Sequence, residues 1–177
     1  MIRSMDREPS KQPPRYCPNE PLPAYRFLPG RNPHPTRNPA GHSYGREEPE
    51  VPWVAPGDWA ESVSYLRGAD LYNQGFWWEA HEAWEGLWHT TDKSGPQGNF
   101  LQGLIQVGAA LIKEAVDQPR GSARLAEAAL RRLDGVLASG QCESGCYMGL
   151  DLRSFVGKVR AYFESTERGS WPPIFLG

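Results

Sequence analysis

The prolines of this chain are concentrated near its beginning: 13 of the 17 lie within residues 1–57. Because proline has no amide hydrogen and a fixed φ, such a segment cannot form a helix or a central strand. We therefore expect residues 1–57 to form an extended arm with polyproline and turn character. The arm either stays a loosely ordered tail or folds over the rest of the chain. Residues 58–177 are enough to bury a core of their own.

Beyond residue 57, apolar side chains recur at helical spacing, and no alternating pattern of useful length indicates a strand. We predict about five helices: one from Asp58 to about residue 73, motif helices at about 76–89 and 99–117, and two more capped by Ser122 and Asp151. Short connections favour antiparallel neighbours. The fold class is therefore all-α, an antiparallel bundle or an irregular array, and the tail at 171–176 is expected to pack back on it.

Charge and hydropathy exclude several function classes. A formal net charge of −2, without a block of lysine or arginine, argues against nonspecific nucleic-acid binding. The best apolar run, residues 104–112, is too short to cross a bilayer and contains Gln106. The first residues lack the apolar segment of a signal peptide, so we expect a cytoplasmic protein. A homodimer is compatible with the sequence.

The chain has three cysteines, an odd number. Cys17 stands alone, whereas Cys142 and Cys146 lie four residues apart near a glycine-rich turn. We expect three reduced thiols, because zinc sites usually need four ligands at tighter, paired spacing. A metal or redox pair at Cys142 and Cys146 is the alternative.

The most unusual chemistry lies in the helix predicted at 76–89, which holds four tryptophans, two histidines and three glutamates. At about 100° per residue, a single arc of this helix faces the core. That arc holds Phe76, Trp77, Ala80, Trp84, Leu87 and Trp88. His81 and Glu85 lie at its edge, one turn apart on the same face. Glu82 follows farther around the helix, and Glu79 is expected near solvent.

His81 and Glu85 are therefore expected to be partly desolvated, where they need a partner or shift their pKa values. One interpretation is a metal-ligand pair or an acid/base pair, with Glu82 and Glu85 as candidate catalytic carboxylates. The H-E-x-x-E string is similar to the zinc-protease H-E-x-x-H, but Glu85 replaces the second histidine. A di-iron site would need two Glu-x-x-His motifs, which this chain lacks. The alternative is a structural His81–Glu85 pair.

Two further groups are candidates to complete such a site. On the helix predicted at 99–117, Gln102, Gln106 and Lys113 share one stripe, which is either solvent-facing or turned toward His81 and Glu85. The arm carries His34 and His42. If the arm folds over the helices, one of these histidines is expected to reach His81 as a further metal ligand.

Two segments resemble a family of small all-helical proteins, the domain of unknown function 309 family. They are LYNQGFWWEAHEAWEGLW at 71–88 and LQGLIQVGAALIK at 101–113. The resemblance covers about 60–138, and the segment 29–45 looks like the N-terminal extension of some members. It implies a helical array around the two motif helices and no agreed activity. The motif residues that it marks are Asn73, Gly75, Glu79, His81, Glu82, Glu85, Trp88, Gln102, Gly103, Gln106 and Lys113.

Two kinds of function remain open at this point. One is a binding site for a divalent metal ion or a small polar molecule, with hydrolysis as the reaction that it would support. Asn73, Gln102, Gln106 and Lys113 would then contact the ligand. The other is a non-enzymatic interaction module, since residues 69–85 are similar to a single tetratricopeptide-type hairpin. Solenoids need about three such units, and only one is visible. The alternative to both functions is a purely structural polar cluster.

Overall fold

A computed structural model describes residues 12–47 and 49–177 of the chain. The part of the predicted arm at 1–11 lies outside the described residues. Five α-helices dominate, and the all-α prediction is confirmed: α1 Val63–Asn73, α2 Trp77–His89, α3 Pro96–Ala115, α4 Pro119–Ala138 and α5 Leu152–Glu164. A 3₁₀ segment at Pro56–Glu61 precedes α1, and another at Glu143–Gly145 follows α4.

Three predicted helix starts were wrong, and that of α3, predicted at about residue 99, lies at Pro96. Asp58 lies within the 3₁₀ segment, and α1 begins after Ser62, whose side chain accepts a hydrogen bond from the amide of Tyr65 at 3.3 Å. α4 begins at Pro119, so Ser122 is a buried residue inside the helix rather than its cap. Proline opens both α3 and α4 because the first helical position needs no amide hydrogen. The prediction for Asp151 was correct, since it caps α5 through the amide of Ser154.

Each helix packs against the next one along the chain, from α1 to α5. Trp84 of α2 is fully buried, and its indole Nε1 donates to the carbonyl of Tyr65 in α1 at 3.2 Å. The turn from α1 to α2 passes through Gly75, which has a φ of 80°. Glycine adopts this positive φ at little cost because it has no Cβ atom. This turn brings α2 back along α1 within three residues and so sets the position of the candidate site.

The tail packs back on the helices, as predicted. Ile174 is fully buried, and Leu176 forms a bridge with Leu150. Leu150 belongs to a small antiparallel hairpin of β1 Cys146–Tyr147 and β2 Leu150–Asp151. Strands of two residues are too short for an alternating pattern, which explains why the sequence did not predict them.

The described part of the arm lies against the helices instead of extending into solvent. The buried carboxylate of Asp70 in α1 accepts the amides of Tyr16 at 2.7 Å and Cys17 at 2.8 Å. Arg15 Nε donates to the same carboxylate at 3.1 Å. Phe27 is 7% exposed. Residues 15–27 are therefore part of the folded unit.

Two further findings bear on the predicted class. Within 12–47 and 49–177, no helix has the length and hydropathy to span a membrane. Cys17, Cys142 and Cys146 are all free thiols, in agreement with the expectation of reduced cysteines.

Candidate metal-binding site

The orientation of α2 determines what surrounds the candidate residues. One side of the helix faces α3, where a Cβ atom at Gly108 would lie 3.4 Å from the carbonyl oxygen of Trp77. Another side faces the arm, where Gly86 packs against Val51. By helical geometry, His81 and Glu85 lie between these two covered sides. They occupy the strip of α2 that neither α3 nor the arm fully covers.

In this strip, His81, Glu82 and Glu85 form a group that has the donor types of a metal site. One ligand atom from each residue lies within 4.8 Å of the other two. His81 Nε2 is 3.5 Å from Glu85 Oε2, and His89 Nε2 is 3.9 Å from Glu85 Oε1. The side chains of His81 and Glu85 are 28% and 39% exposed, so solvent reaches the group from one direction.

The environment of His81 favours its neutral form. Burial lowers the pKa of the His81 imidazole from its usual 6.5, and the nearby Glu85 carboxylate opposes this effect to a smaller degree. A neutral imidazole is the form that binds a metal ion. At neutral pH the group therefore offers one nitrogen lone pair beside two acidic side chains.

The prediction that Glu79 lies near solvent was wrong, because Glu79 is only 6% exposed. Its Oε1 atom accepts the amide of Phe27 at 3.0 Å and lies 3.0 Å from Nε2 of His42. The other ring nitrogen of His42 lies 2.8 Å from the hydroxyl of Ser43. A helical wheel considers α2 alone, whereas the arm covers the face that carries Glu79. His42 is thus committed to Glu79.

His34 packs on the arm-facing side of α2 as well. Its ring contacts Trp78 and Phe27 at centroid distances of 5.3 and 5.1 Å. Its Nδ1 atom accepts the amides of Thr36 and Arg37, both at 3.4 Å. In a neutral imidazole that accepts at Nδ1, the proton is on Nε2, which then cannot bind a metal. His34 and His42 as metal ligands therefore stay predictions, and neither belongs to the group of His81.

The structure places the predicted ligand-binding residues apart from this group. Both ends of the Asn73 amide are bound to the backbone of Ile174, at 2.8 Å each. Lys113 donates to Gln118 at 2.8 Å. Gly108 lies on the side of α3 that faces α2. Gln106 is two residues earlier, roughly 200° around the helix, and therefore lies on nearly the opposite side. Gln102 and Lys113 lie close to Gln106 on that wheel. These four residues as ligand contacts stay predictions, and the site proposed below does not use them.

The segment that is similar to a tetratricopeptide-type hairpin consists of α1 and α2. Asp70 of α1 and Glu79 of α2 both hold the arm, and α2 also packs on α3. A peptide that approached these two carboxylates would have to displace the arm. The contacts therefore give the interaction-module hypothesis no specific support.

Sequence reasoning missed the two buried carboxylates that anchor the arm. Asp70 follows Ala69 and precedes Leu71 in a helix whose apolar face was evident. An acidic residue beside that face needs partners, and the amides of a proline-rich arm outside regular secondary structure need acceptors. The need of the buried carboxylate for donors and of the arm amides for acceptors is the signal that could have predicted their contact.

Comparison with known families agrees with the resemblance of the two motif segments. A family model described as "Domain of unknown function (DUF309)" matches residues 65–125, which confirms the resemblance drawn from the two motif segments. The matched region contains all of α2 and α3, including His81, Glu82 and Glu85. No curated protein matches the chain.

Proposed function

We propose that the DUF309 domain of this chain, matched over residues 65–125, binds a divalent metal ion through His81, Glu82 and Glu85. One observation carries the proposal: an imidazole nitrogen and two carboxylate oxygens lie within 4.8 Å of one another. Metal–ligand bonds of about 2.1 Å place tetrahedral ligands about 3.4 Å apart. The 3.5 Å between His81 and Glu85 already matches that spacing. Rotation of the Glu82 side chain would bring its carboxylate oxygen to the same spacing from the other two ligand atoms.

The donor set indicates which metals to test. One imidazole and two carboxylates suit zinc, manganese, iron or nickel better than calcium or magnesium, which prefer oxygen ligands alone. A divalent cation also offsets the repulsion between two carboxylates on adjacent turns of one helix. The lowered pKa of His81 supports the proposal, because less proton competition occurs at neutral pH.

We extend the proposal to hydrolysis. Three ligands from one helix leave coordination positions for water and substrate, as in catalytic rather than structural sites. A divalent ion held by these residues would lower the pKa of a bound water molecule, and attack of the resulting hydroxide on an ester carbonyl would release the alcohol, which takes up the proton that the water lost. Glu82 is our candidate for the general base, because a carboxylate that binds the ion through one oxygen keeps its second oxygen to accept the proton of the bound water.

Metal binding is tested by titrating metal-free protein with zinc, manganese and cobalt, using calorimetry and the visible spectrum of the cobalt form. We expect one ion per chain. His81→Ala and Glu85→Gln should each weaken binding at least tenfold. Glu127→Gln is the matched control, because Glu127 is an exposed glutamate in an i,i+4 pair on α4. Its affinity should equal that of the wild type.

Two outcomes would contradict metal binding: no saturable uptake at millimolar metal, or equal affinity in the wild type and Glu85→Gln. Hydrolysis is tested separately with 4-nitrophenyl acetate. We expect activity that needs added metal, is abolished by a chelator and falls at least a hundredfold in Glu82→Gln. Activity that is insensitive to the chelator would remove the hydrolytic extension.

A further inference from the structure

The shallow groove between α3 and α4 is separate from the metal site and has a distinct chemistry. Its volume is about 380 Å³, within the range of about 300–1,000 Å³ that small-molecule sites occupy. Two arginines, Arg131 and Arg132, line it together with Ser94, Asn99 and Ser139. No carboxylate is among the described residues that line it. The charged side chains that line the groove are therefore both cationic, and one of them, Arg131, is paired with Glu127 outside it.

Arg132 is held in place by a neutral partner. Its guanidinium donates to Asn99 Oδ1 at 2.7 Å. The amide nitrogen of Asn99 donates in turn to the carbonyls of Ser94 and Gly95, at 2.9 and 3.0 Å, which fixes the orientation of the amide. Asn99 thus positions the guanidinium without neutralising it.

Three carboxylates lie close to groove residues in sequence, and each has a partner; Asp134 pairs with Arg160 at 2.9 Å. Glu127 pairs with Arg131 at 2.5 Å, and both side chains are more than 60% exposed. Asp92 accepts the amide and the hydroxyl of Ser94 at 3.0 and 2.8 Å. Because exposed ion pairs are weak, Arg131 can exchange Glu127 for a better acceptor at little cost.

The rest of the groove is apolar. Pro96, Ala128 and Val136 line it, and Val136 is almost fully buried. The first turn of α3 also borders the groove. The N-cap residue of α3, Gly95, has no side chain that could accept hydrogen bonds from the first amides of the helix. A guanidinium held beside an apolar surface suits a ligand that has an anionic group on a small apolar body.

We propose that the α3–α4 groove binds the phosphoryl group of a small phosphate monoester, with Arg132 as the principal contact. The planar guanidinium presents paired N–H donors that match phosphate oxygens. A dianion uses both arginines, whereas a monoanion needs only one. The apolar residues contact the organic part of the ester.

The test compares phenyl phosphate, benzoate and inorganic phosphate as probes, by calorimetry and by ¹H–¹⁵N chemical shifts. It uses the full chain at low ionic strength, with a chelator present so that metal binding has no influence. We expect phenyl phosphate to bind at least tenfold more tightly than benzoate, and inorganic phosphate to bind more weakly than phenyl phosphate. Shifts should centre on Asn99 and Arg132.

Two variants probe the role of Arg132. Arg132→Gln removes the guanidinium, and Asn99→Asp keeps it but gives it a carboxylate partner. Each should weaken phenyl phosphate binding at least tenfold. Arg160→Gln is the matched control, because Arg160 pairs with Asp134 and does not line the groove. Its affinity should stay within twofold of the wild type.

Three results would overturn the proposal. They are no phenyl phosphate binding at millimolar concentration, equal affinity for benzoate and phenyl phosphate, or unchanged affinity in Arg132→Gln. Helical circular dichroism of each variant verifies that the fold is intact. If Arg132→Gln fails to fold, Asn99→Asp alone decides the matter.

Discussion

The Nε2 atom of His42 lies 3.0 Å from Oε1 of Glu79, and the two side chains are 8% and 5% exposed. This pair joins the arm to α2 across 37 residues of chain. The same carboxylate oxygen accepts the amide of Phe27, whereas Oε2 is buried without a hydrogen-bond partner in the described structure. The arm therefore supplies both hydrogen-bond partners of one oxygen of a buried acid, and we expect the stability of the helices to depend on it.

Removing this acid tests the dependence. Glu79→Ala should lower the free energy of unfolding by about 3 kcal/mol, because it leaves His42 and the Phe27 amide without their acceptor. Chemical denaturation measures this change. Trypsin should also cleave faster after Arg31 and Arg37. The control Glu127→Ala should change stability by no more than about 0.5 kcal/mol. Wild-type stability in Glu79→Ala would show that the pair is dispensable.

The second anchor is open to a chemical measurement. Asp70→Ala should release the amides of Tyr16 and Cys17 and the guanidinium of Arg15. The cost should be about 3 kcal/mol, since the hydrogen bonds go to a charged acceptor. Alkylation of Cys17 should become several-fold faster, measured in a background with Cys142 and Cys146 replaced by serine. An unchanged alkylation rate would mean that the arm stays docked without Asp70.

The contact between α1 and α2 depends on a small residue. A Cβ atom at Gly68 would lie 2.1 Å from Nε1 of Trp84. Gly68→Ala should therefore displace the indole and lower stability by about 1–3 kcal/mol. Gly157→Ala in α5 is the matched control, because no atom lies within 4 Å of its Cβ position. It should stabilise by up to about 1 kcal/mol. Equal effects of the two changes would contradict the packing.

The titration of His81 has a defined sign. Because burial lowers its pKa in the folded state below 6.5, the unfolded chain binds more protons between those two values. Its contribution to stability is fully present above pH 6.5 and is lost as the pH falls toward the folded pKa. NMR of the metal-free protein should give a pKa below 6.5. Glu85→Gln should lower it further, and a value above 6.5 would contradict the burial of the ring.

The tyrosines act at the other end of the pH range. Burial raises the pKa of Tyr72 far above 10, and it raises that of Tyr147 to about 12. The unfolded chain loses these protons near pH 10, so stability should decline above that value. Tyr72→Phe should lose about 1 kcal/mol at pH 8, since the hydroxyl donates to Pro172. It should also decline less steeply above pH 10, and identical slopes would exclude Tyr72 as a cause.

Sequence periodicity predicted the helices well, and α2 begins within one residue of its expected start. It also placed His81 and Glu85 correctly, because these residues share a face of one helix and need no tertiary information. Sequence periodicity could not predict the Glu79–His42 pair, because this contact depends on where an irregular arm crosses the helix. The starts of α3 and α4 were misplaced for a local reason. Both helices begin at a proline, Pro96 and Pro119, which is favoured in a first helical turn because that position needs no amide hydrogen.

The hydroxyl of Tyr16 accepts the amide of Leu176 at 2.6 Å, a contact that spans 160 residues. On a ribosome, the arm leaves first but can make this contact only after residue 176 has emerged. Asp70 can hold residues 15–17 much earlier, once α1 has formed. The arm should thus dock in two stages, with the second stage reporting that the C-terminal tail is in place. Because Asp70 already holds residues 15–17 at that point, the second stage closes only the short C-terminal tail onto the folded helices.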